Sequence, residues 1–183
     1  SWGILQQLSH KNLNVLYIKP DLEFLGEINT FQEKLVRSIL QEYARSHAIN
    51  RIYLIDNKTI ATILGDVPIV GYYDMLNVYS HQEPVHATAF EPKDTATVST
   101  VGLVDVESGE EKLFFSLDKI SEKSYYYAIN SNVLETDGTL LRRLTDNINK
   151  NTDNEIKAGF QVHSTSYEQS YGYVVANTSQ TNN

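Results

Sequence analysis

The chain has 183 residues, is 41% hydrophobic and 21% charged, contains no cysteine and carries a formal net charge of −8. These figures fit one domain of ordinary size or two small ones, and at this length roughly 70% of the extended-chain surface can be buried. They exclude disulfides, cysteine–zinc sites and thiol nucleophiles, and they argue against a nucleic-acid partner, which needs a clustered basic face richer than Arg142-Arg143.

No run approaches the roughly 18 apolar residues of a membrane span, and no signal-peptide core is present. The chain opens on Ser1-Trp2-Gly3 without Met and reads as a piece of something longer. Trp2, Ile4, Leu5 and Leu8 fit one face of a leading helix. Asn14 to Ile18 reads as a short strand stopped before Pro20.

The stretch from Thr30 to Leu64 organises the rest of the chain. Thr30 and Glu33 have the spacing of a capping box. Phe31, Leu35, Ile39 and Tyr43 recur every four residues, widened by Val36 and Leu40, with Gln32, Lys34, Arg37, Gln41 and Glu42 mostly opposite. That pattern predicts a long amphipathic helix burying its apolar stripe. Arg51 to Ile55 and Ile60 to Leu64 are apolar, β-branched runs around Asp56-Asn57-Lys58-Thr59, and they predict a hairpin. Both faces of the first run are apolar, Ile52 and Leu54 on one and Tyr53 and Ile55 on the other, so it is expected to be covered on both sides.

Gly65 to Asp94 is the least regular part and holds Pro68, Pro84 and Pro92. A segment of that length without regular structure is often a binding element. The next predicted strands are Thr97–Val106, Lys112–Leu117 and Ser124–Asn130, expected as an antiparallel meander. Asp137 is placed to cap a second helix, Thr139–Lys150, with Leu140, Leu141, Leu144 and Ile148 as its stripe. Lys157–His163 and Tyr171–Val175 predict a last hairpin. Residues 1–176 are therefore expected to form one domain, with 177–183 a polar tail or linker.

Several groups carry candidate chemistry. His81, Glu83 and His86 are the densest set of metal-ligand types, but their spacing matches no usual zinc pattern, so no metal site is assigned. Tyrosine offers an apolar face and a hydroxyl, which suits a pocket orienting a small polar ligand. On that ground Tyr72, Tyr73, Asp74, Tyr79, Tyr125 and Tyr127 are the candidate ligand-binding residues, with ordinary sheet packing as the competing reading. Tyr125 and Tyr127 share a face and Tyr126 takes the other. Asp56, Asp66, Asp74 and Asp105 fall in or near expected loops, and no G-x-S-x-G, phosphate-cradling glycine loop or nucleotide fingerprint occurs. Asn57-Lys-Thr59 and Asn177-Thr-Ser179 match the glycosylation triplet, a pattern common by chance.

The order of elements resembles the PAS-like sensor fold of bacterial extracytoplasmic receptors, the Cache family. The stretch IYLIDNKTIATIL looks like that family's first hairpin, and VGLVDVESGEEKLFFSLDKI like its closing one. The resemblance covers roughly Thr30 to Ile129. The family's Arg-x-Trp-Tyr type motif is missing, and the helix and hairpin after Asn130 exceed the simplest module. The resemblance implies an α+β domain, a central antiparallel sheet with a long N-terminal helix packed on it. It implies an extracytoplasmic small-molecule sensing domain of a membrane receptor: a histidine kinase, chemoreceptor or cyclic-dinucleotide enzyme. It further implies a small-molecule ligand, a homodimer through the long helix, membrane contact only through segments outside this piece, no cofactor and no catalysis. The alternatives are an interaction module of a surface or secretion assembly, and a hydrolase or transferase domain.

Overall fold

The computed structural model describes residues 13–65 and 98–182, together with Gly3 and Gln7. Among the described residues the chain forms β1 (Asn14–Lys19), a 3-10 turn (Leu22–Phe24), α1 (Glu27–Arg45), β2 (Arg51–Asp56), α2 (Asn57–Leu64), β3 (Val98–Val104), β4 (Glu111–Leu113), β5 (Glu122–Asn130), α3 (Ser131–Thr136), α4 (Leu140–Asn151), β6 (Lys157–Thr165) and β7 (Tyr171–Thr178). The strands make a seven-stranded sheet in the order β1-β2-β3-β7-β5-β6, with β4 paired to β3.

The sheet is mixed, which corrects the antiparallel expectation. β1 pairs with β2 in parallel, β2 with β3 in parallel, and β5 with β6 in parallel. Parallel neighbours need a crossover, and a helix is the usual one. The long helix α1 is that crossover, between β1 and β2. It is therefore an internal element of a β-α-β unit and not a leading helix laid on an antiparallel sheet.

The predicted hairpin after residue 50 is β2 running directly into α2. Asp56 is the N-cap, its Oδ1 accepting from the backbone N–H groups of Lys58 at 2.9 Å and Thr59 at 3.4 Å. Gly65 ends the helix at φ +70 and ψ −156, a positive-φ region that essentially only glycine enters. Ile60 is buried and Ile63 half-buried on the face turned to the sheet. These residues have β propensity, but capping at both ends and burial of one stripe decide for helix.

The predicted meander and closing hairpin are also rearranged. β4 answers β3 as expected, yet β5 pairs with β7 and β6, so β7 lies between β3 and β5, and β5 separates β6 from β7. The reason is in β5 itself. Tyr125, Tyr127 and Ile129 on one face and Tyr126 on the other are almost wholly buried. A strand apolar on both faces sits inside a sheet, with a neighbour on each side.

Register puts Ile52, Leu54, Val98, Ala176, Val174, Tyr125 and Tyr127 on one face. There α1 covers Ile52, Leu54, Val98 and Ala176, while α4 covers Tyr125, Tyr127 and Val174 with Leu140, Leu144 and Ile148. The opposite face holds Tyr53, Ile55, Val101, Tyr126 and Val175 beneath Ile60 of α2.

The orientation of α1 differs most from expectation. It begins at Glu27 behind Gly26, three residues before Thr30, so the predicted capping box lies inside the helix. Its buried residues are Glu33, Arg37, Leu40, Gln41 and Ala44, while Phe31 is 67% exposed and Leu35 49% exposed. Glu33, Arg37 and Gln41 turn inward because each finds a partner there. Arg37 Nε donates to Glu33 Oε1 at 2.8 Å, and Tyr17 Oη donates to the same oxygen at 3.2 Å. The Arg37 guanidinium also lies 5.8 Å from the ring centroid of Phe115. A buried charge is tolerated when it is paired and hydrogen-bonded.

The segment after Ala176, expected to be a polar tail, continues β7 through Thr178 and returns to bury Asn182 at 2% exposure.

Candidate functional site

In sheets built from β-α-β units, ligands settle beyond the carboxyl ends of the parallel strands. Here that edge is formed by the ends of β1 and β2. Lys19 closes β1, Asp56 closes β2, and register sets them side by side. Lys19 Nζ donates to Asp56 Oδ2 at 2.8 Å across a half-exposed surface. The adjoining loop carries Asp21, whose Oδ1 accepts from Glu23 N at 3.0 Å. Glu23 pairs with Lys58 in the first turn of α2, and this hydrogen bond raises the pKa of the Lys58 ammonium.

Two helix starts face this edge and differ in availability. The first-turn N–H groups of α2 are taken by the Asp56 carboxylate. The N-cap of α1 is Gly26, which offers no side-chain cap, and a methyl group placed on it would meet nothing within 4 Å. Free N–H groups at a helix start favour an anionic group by geometry and dipole. Glu27 in the first turn opposes that preference. The four carboxylates of Asp21, Glu23, Glu27 and Asp56 outnumber the two ammonium groups of Lys19 and Lys58 at this edge. Among the described residues no cluster of three or more histidines and carboxylates could hold a metal ion.

Sequence reasoning misses this edge because Asp56 reads as a turn residue. The signal is present: an N-cap Asp, apolar residues at 60, 63 and 64, and a glycine after the last of them.

Of the residues proposed from the sequence as ligand contacts, Tyr72, Tyr73, Asp74 and Tyr79 lie outside the described residues, as do Asp66, His81, Glu83 and His86. Tyr125 and Tyr127 lie together on β5 under α4, their rings stacked with centroids 6.3 Å apart. Tyr125 Oη donates to Glu111 Oε2 at 2.8 Å, and Lys123 Nζ donates to Glu111 Oε1 at 2.7 Å and to Asn151 O at 3.0 Å. Burial, then the Glu111 carboxylate, drives the Tyr125 hydroxyl far above its ordinary pKa. Tyr127 is pushed up to about 12 by burial first and Glu111 second, and its hydroxyl finds no hydrogen-bond partner among the described residues. Asp105 serves a turn instead: its Oδ1 accepts from Ser108 N at 2.7 Å and Glu107 N at 3.0 Å, which lowers its pKa. Asn177 of the second glycosylation triplet is buried and accepts from Ser99 Oγ at 2.6 Å.

The mixed sheet with helices on both faces is similar in fold to solved structures of TubZ and FtsZ. The GDP-form protofilaments of Bacillus thuringiensis serovar israelensis TubZ match with a TM-score of 0.62 and 14% identity, over 96% of this chain and 57% of that one. A two-stranded TubZ filament matches at a TM-score of 0.61 and 14% identity, over 96% and 55%. The empty FtsZ dimer of M. jannaschii matches at a TM-score of 0.61 and 10% identity, over 97% and 58%. The chain thus spans a little over half the length of these proteins. No protein-family model and no curated protein matches the sequence.

This likeness overturns the Cache resemblance and the expectations that depended on it. A PAS-like sensor has an antiparallel sheet; this chain has the TubZ and FtsZ arrangement with parallel β-α-β units. The reading as a small-molecule receptor domain in signal transduction falls with it, as does that of a surface or secretion module. A sensor homodimer through the long helix, clamping a small ligand, gives way to neighbours described as protofilaments and filaments. Extracytoplasmic placement rested on the same resemblance and falls too. Among the described residues no helix is long and apolar enough to cross a membrane. The expectation of no catalysis came from the sensor reading and no longer stands beside a neighbour described in a GDP form.

Proposed function

We propose that this chain is part of a protein that assembles into filaments under the control of a guanine nucleotide. One observation carries the reading: 96% of the chain shares its fold with TubZ, a protein described as protofilaments in a GDP form. The ends of β1 and β2, with the uncapped start of α1, supply the edge where such folds receive ligands. Hydrolysis of the nucleotide, in which water bonds to the terminal phosphorus, the bond from that phosphorus to the β–γ bridging oxygen breaks, and GDP leaves with inorganic phosphate as the second product, is the reaction that would set the state of the filament.

The sequence holds no glycine-rich phosphate loop of the G-x-x-x-x-G-K-[S/T] kind. In this reading the chain supplies the framework around the edge, and Tyr125 and Tyr127 serve its core. The test is sedimentation and light scattering of the protein with GTP, with GDP and without nucleotide, alongside phosphate release. Pelleting that requires GTP and reverses as phosphate is released is the expected result. Failure to bind GTP, with no nucleotide-dependent pelleting at any concentration, would overturn the reading.

A further inference from the structure

The segment following β7 makes an unusual return. Ser179 and Gln180 are exposed, Thr181 is half-buried, and Asn182 is buried at 2% exposure. Asn182 enters a slot between α1 and the chain near Asp118, and each of its polar groups is engaged. Its backbone N–H donates to Gln41 Oε1 at 2.6 Å. Its carbonyl accepts from Arg37 Nη1 at 2.6 Å and from Gln41 Nε2 at 2.9 Å. Its side-chain Oδ1 accepts from Asp118 N at 2.6 Å, and its Nδ2 donates to Gln180 O at 3.1 Å.

Gln41 thus reads the backbone of residue 182 through both ends of its carboxamide, as a neighbouring β-strand would. Gln41 and Arg37 are themselves 0% and 2% exposed, so the slot is built from buried polar groups that need a partner. The only other hydrogen bond the described residues show between the segment and α1 is the exposed one from Arg45 Nη1 to Thr181 Oγ1 at 3.1 Å. Among the described residues Ser179 and Gln180 are exposed and make no hydrogen bond to α1, so release of Asn182 breaks its own five hydrogen bonds and leaves the β7 ladder intact.

We propose that the groove formed by Arg37, Gln41 and the Asp118 backbone is a recognition site for an extended, asparagine-bearing segment. Its resident occupant is this chain's own Ser179–Asn182, held as a releasable strap across α1. Opening the strap uncovers a guanidinium and a carboxamide on the sheet side of the helix. The proposal stands on this geometry and does not rest on the filament reading.

The test has two parts. In hydrogen exchange of the unaltered chain, the Thr181 and Asn182 amides should exchange roughly tenfold or more faster than those of Val174–Ala176 in β7. Equal rates would show that the segment is a fixed part of the sheet and would overturn the strap. In the second part a fluorescein-labelled peptide of residues 178–183 is titrated onto the full chain and onto an Asn182→Pro chain. Proline removes both the N–H read by Gln41 and the carboxamide side chain. The unaltered chain's own strap competes at an effective concentration in the millimolar range, so the peptide should bind the Asn182→Pro chain about tenfold or more tightly. A peptide carrying the same proline should not bind. Equal affinity for the two chains, or no binding to an Asn182→Pro chain that keeps its unfolding midpoint, would overturn the site. Should that variant not fold, the exchange rates of the unaltered chain decide alone.

Discussion

Arg37 lies one helical turn after Glu33, and the two form an ion pair with both side chains only 3% exposed, on the face of α1 turned to the sheet. An amphipathic helix ordinarily turns such residues outward. Here Tyr17, Phe115 and Asn182 surround them and satisfy them.

This arrangement makes removal of one partner costly. Arg37→Met leaves Glu33 buried with only the Tyr17 hydroxyl, and it strips the Asn182 carbonyl of one donor. A broken buried pair is destabilising by about 3–5 kcal/mol. Urea unfolding should show a loss in that range. Replacing the exposed Lys34 should change stability by no more than about 0.5 kcal/mol.

Tyr125 and Tyr127 are two residues apart and differ in what their hydroxyls do. Tyr127→Phe removes a buried hydroxyl that has no partner among the described residues, so stability should hold or rise by up to about 1 kcal/mol. Tyr125→Phe removes the donor to Glu111 Oε2 and should lower stability by about 1–2 kcal/mol. Thermal midpoints of the two variants, compared under one buffer, check the contrast. A larger loss in Tyr127→Phe would mean that its hydroxyl has a partner.

The sequence is legible where period and burial agree. β1, β2, β3 and α4 follow from their apolar patterns, and the double-sided apolar character of Arg51–Ile55 marks a strand covered on both faces. It is not legible where tertiary partners reverse a local pattern. The stripe of Phe31 and Leu35 gives the period of α1 correctly and its orientation wrongly, because only the folded chain shows Arg37 and Gln41 finding Glu33 and Asn182. Strand order is hidden for the same reason. Lys157–Thr165 and Tyr171–Thr178 are neighbours in sequence, but β5 separates them in the sheet. The candidate edge is half-visible: Asp56 stands out in the sequence, yet its role depends on α2 following β2 without a turn.

Alkaline pH should destabilise the fold through buried tyrosines. Tyr17 is raised to about 12, by burial first and then by Glu33, and Tyr127 is raised to about 12 by burial first. The unfolded chain loses these protons near pH 10 and the folded chain only near 12. Between those values the folded state binds more protons, so stability falls as pH rises. Below about pH 10 the contribution is fully present. Unfolding midpoints measured from about pH 8 to 12 should fall steeply above about 10, and the Tyr17→Phe, Tyr127→Phe double variant should fall less steeply.

Asp56 serves as cap and as ion-pair partner, and two substitutions separate these roles. Asp56→Ala removes the acceptor for Lys58 N and Thr59 N and should cost about 1–2 kcal/mol. Asn caps a helix about as well as Asp, so Asp56→Asn should keep stability within about 0.5 kcal/mol while leaving Lys19 without its carboxylate partner. Urea midpoints measure the first difference. GTP-dependent pelleting measures the second: an Asp56→Asn chain that folds normally but needs a different GTP concentration to pellet would place the β1–β2 edge at the nucleotide. An unchanged GTP requirement would place the nucleotide away from Lys19 and Asp56, leaving this carboxylate to hold the turn from β2 into α2.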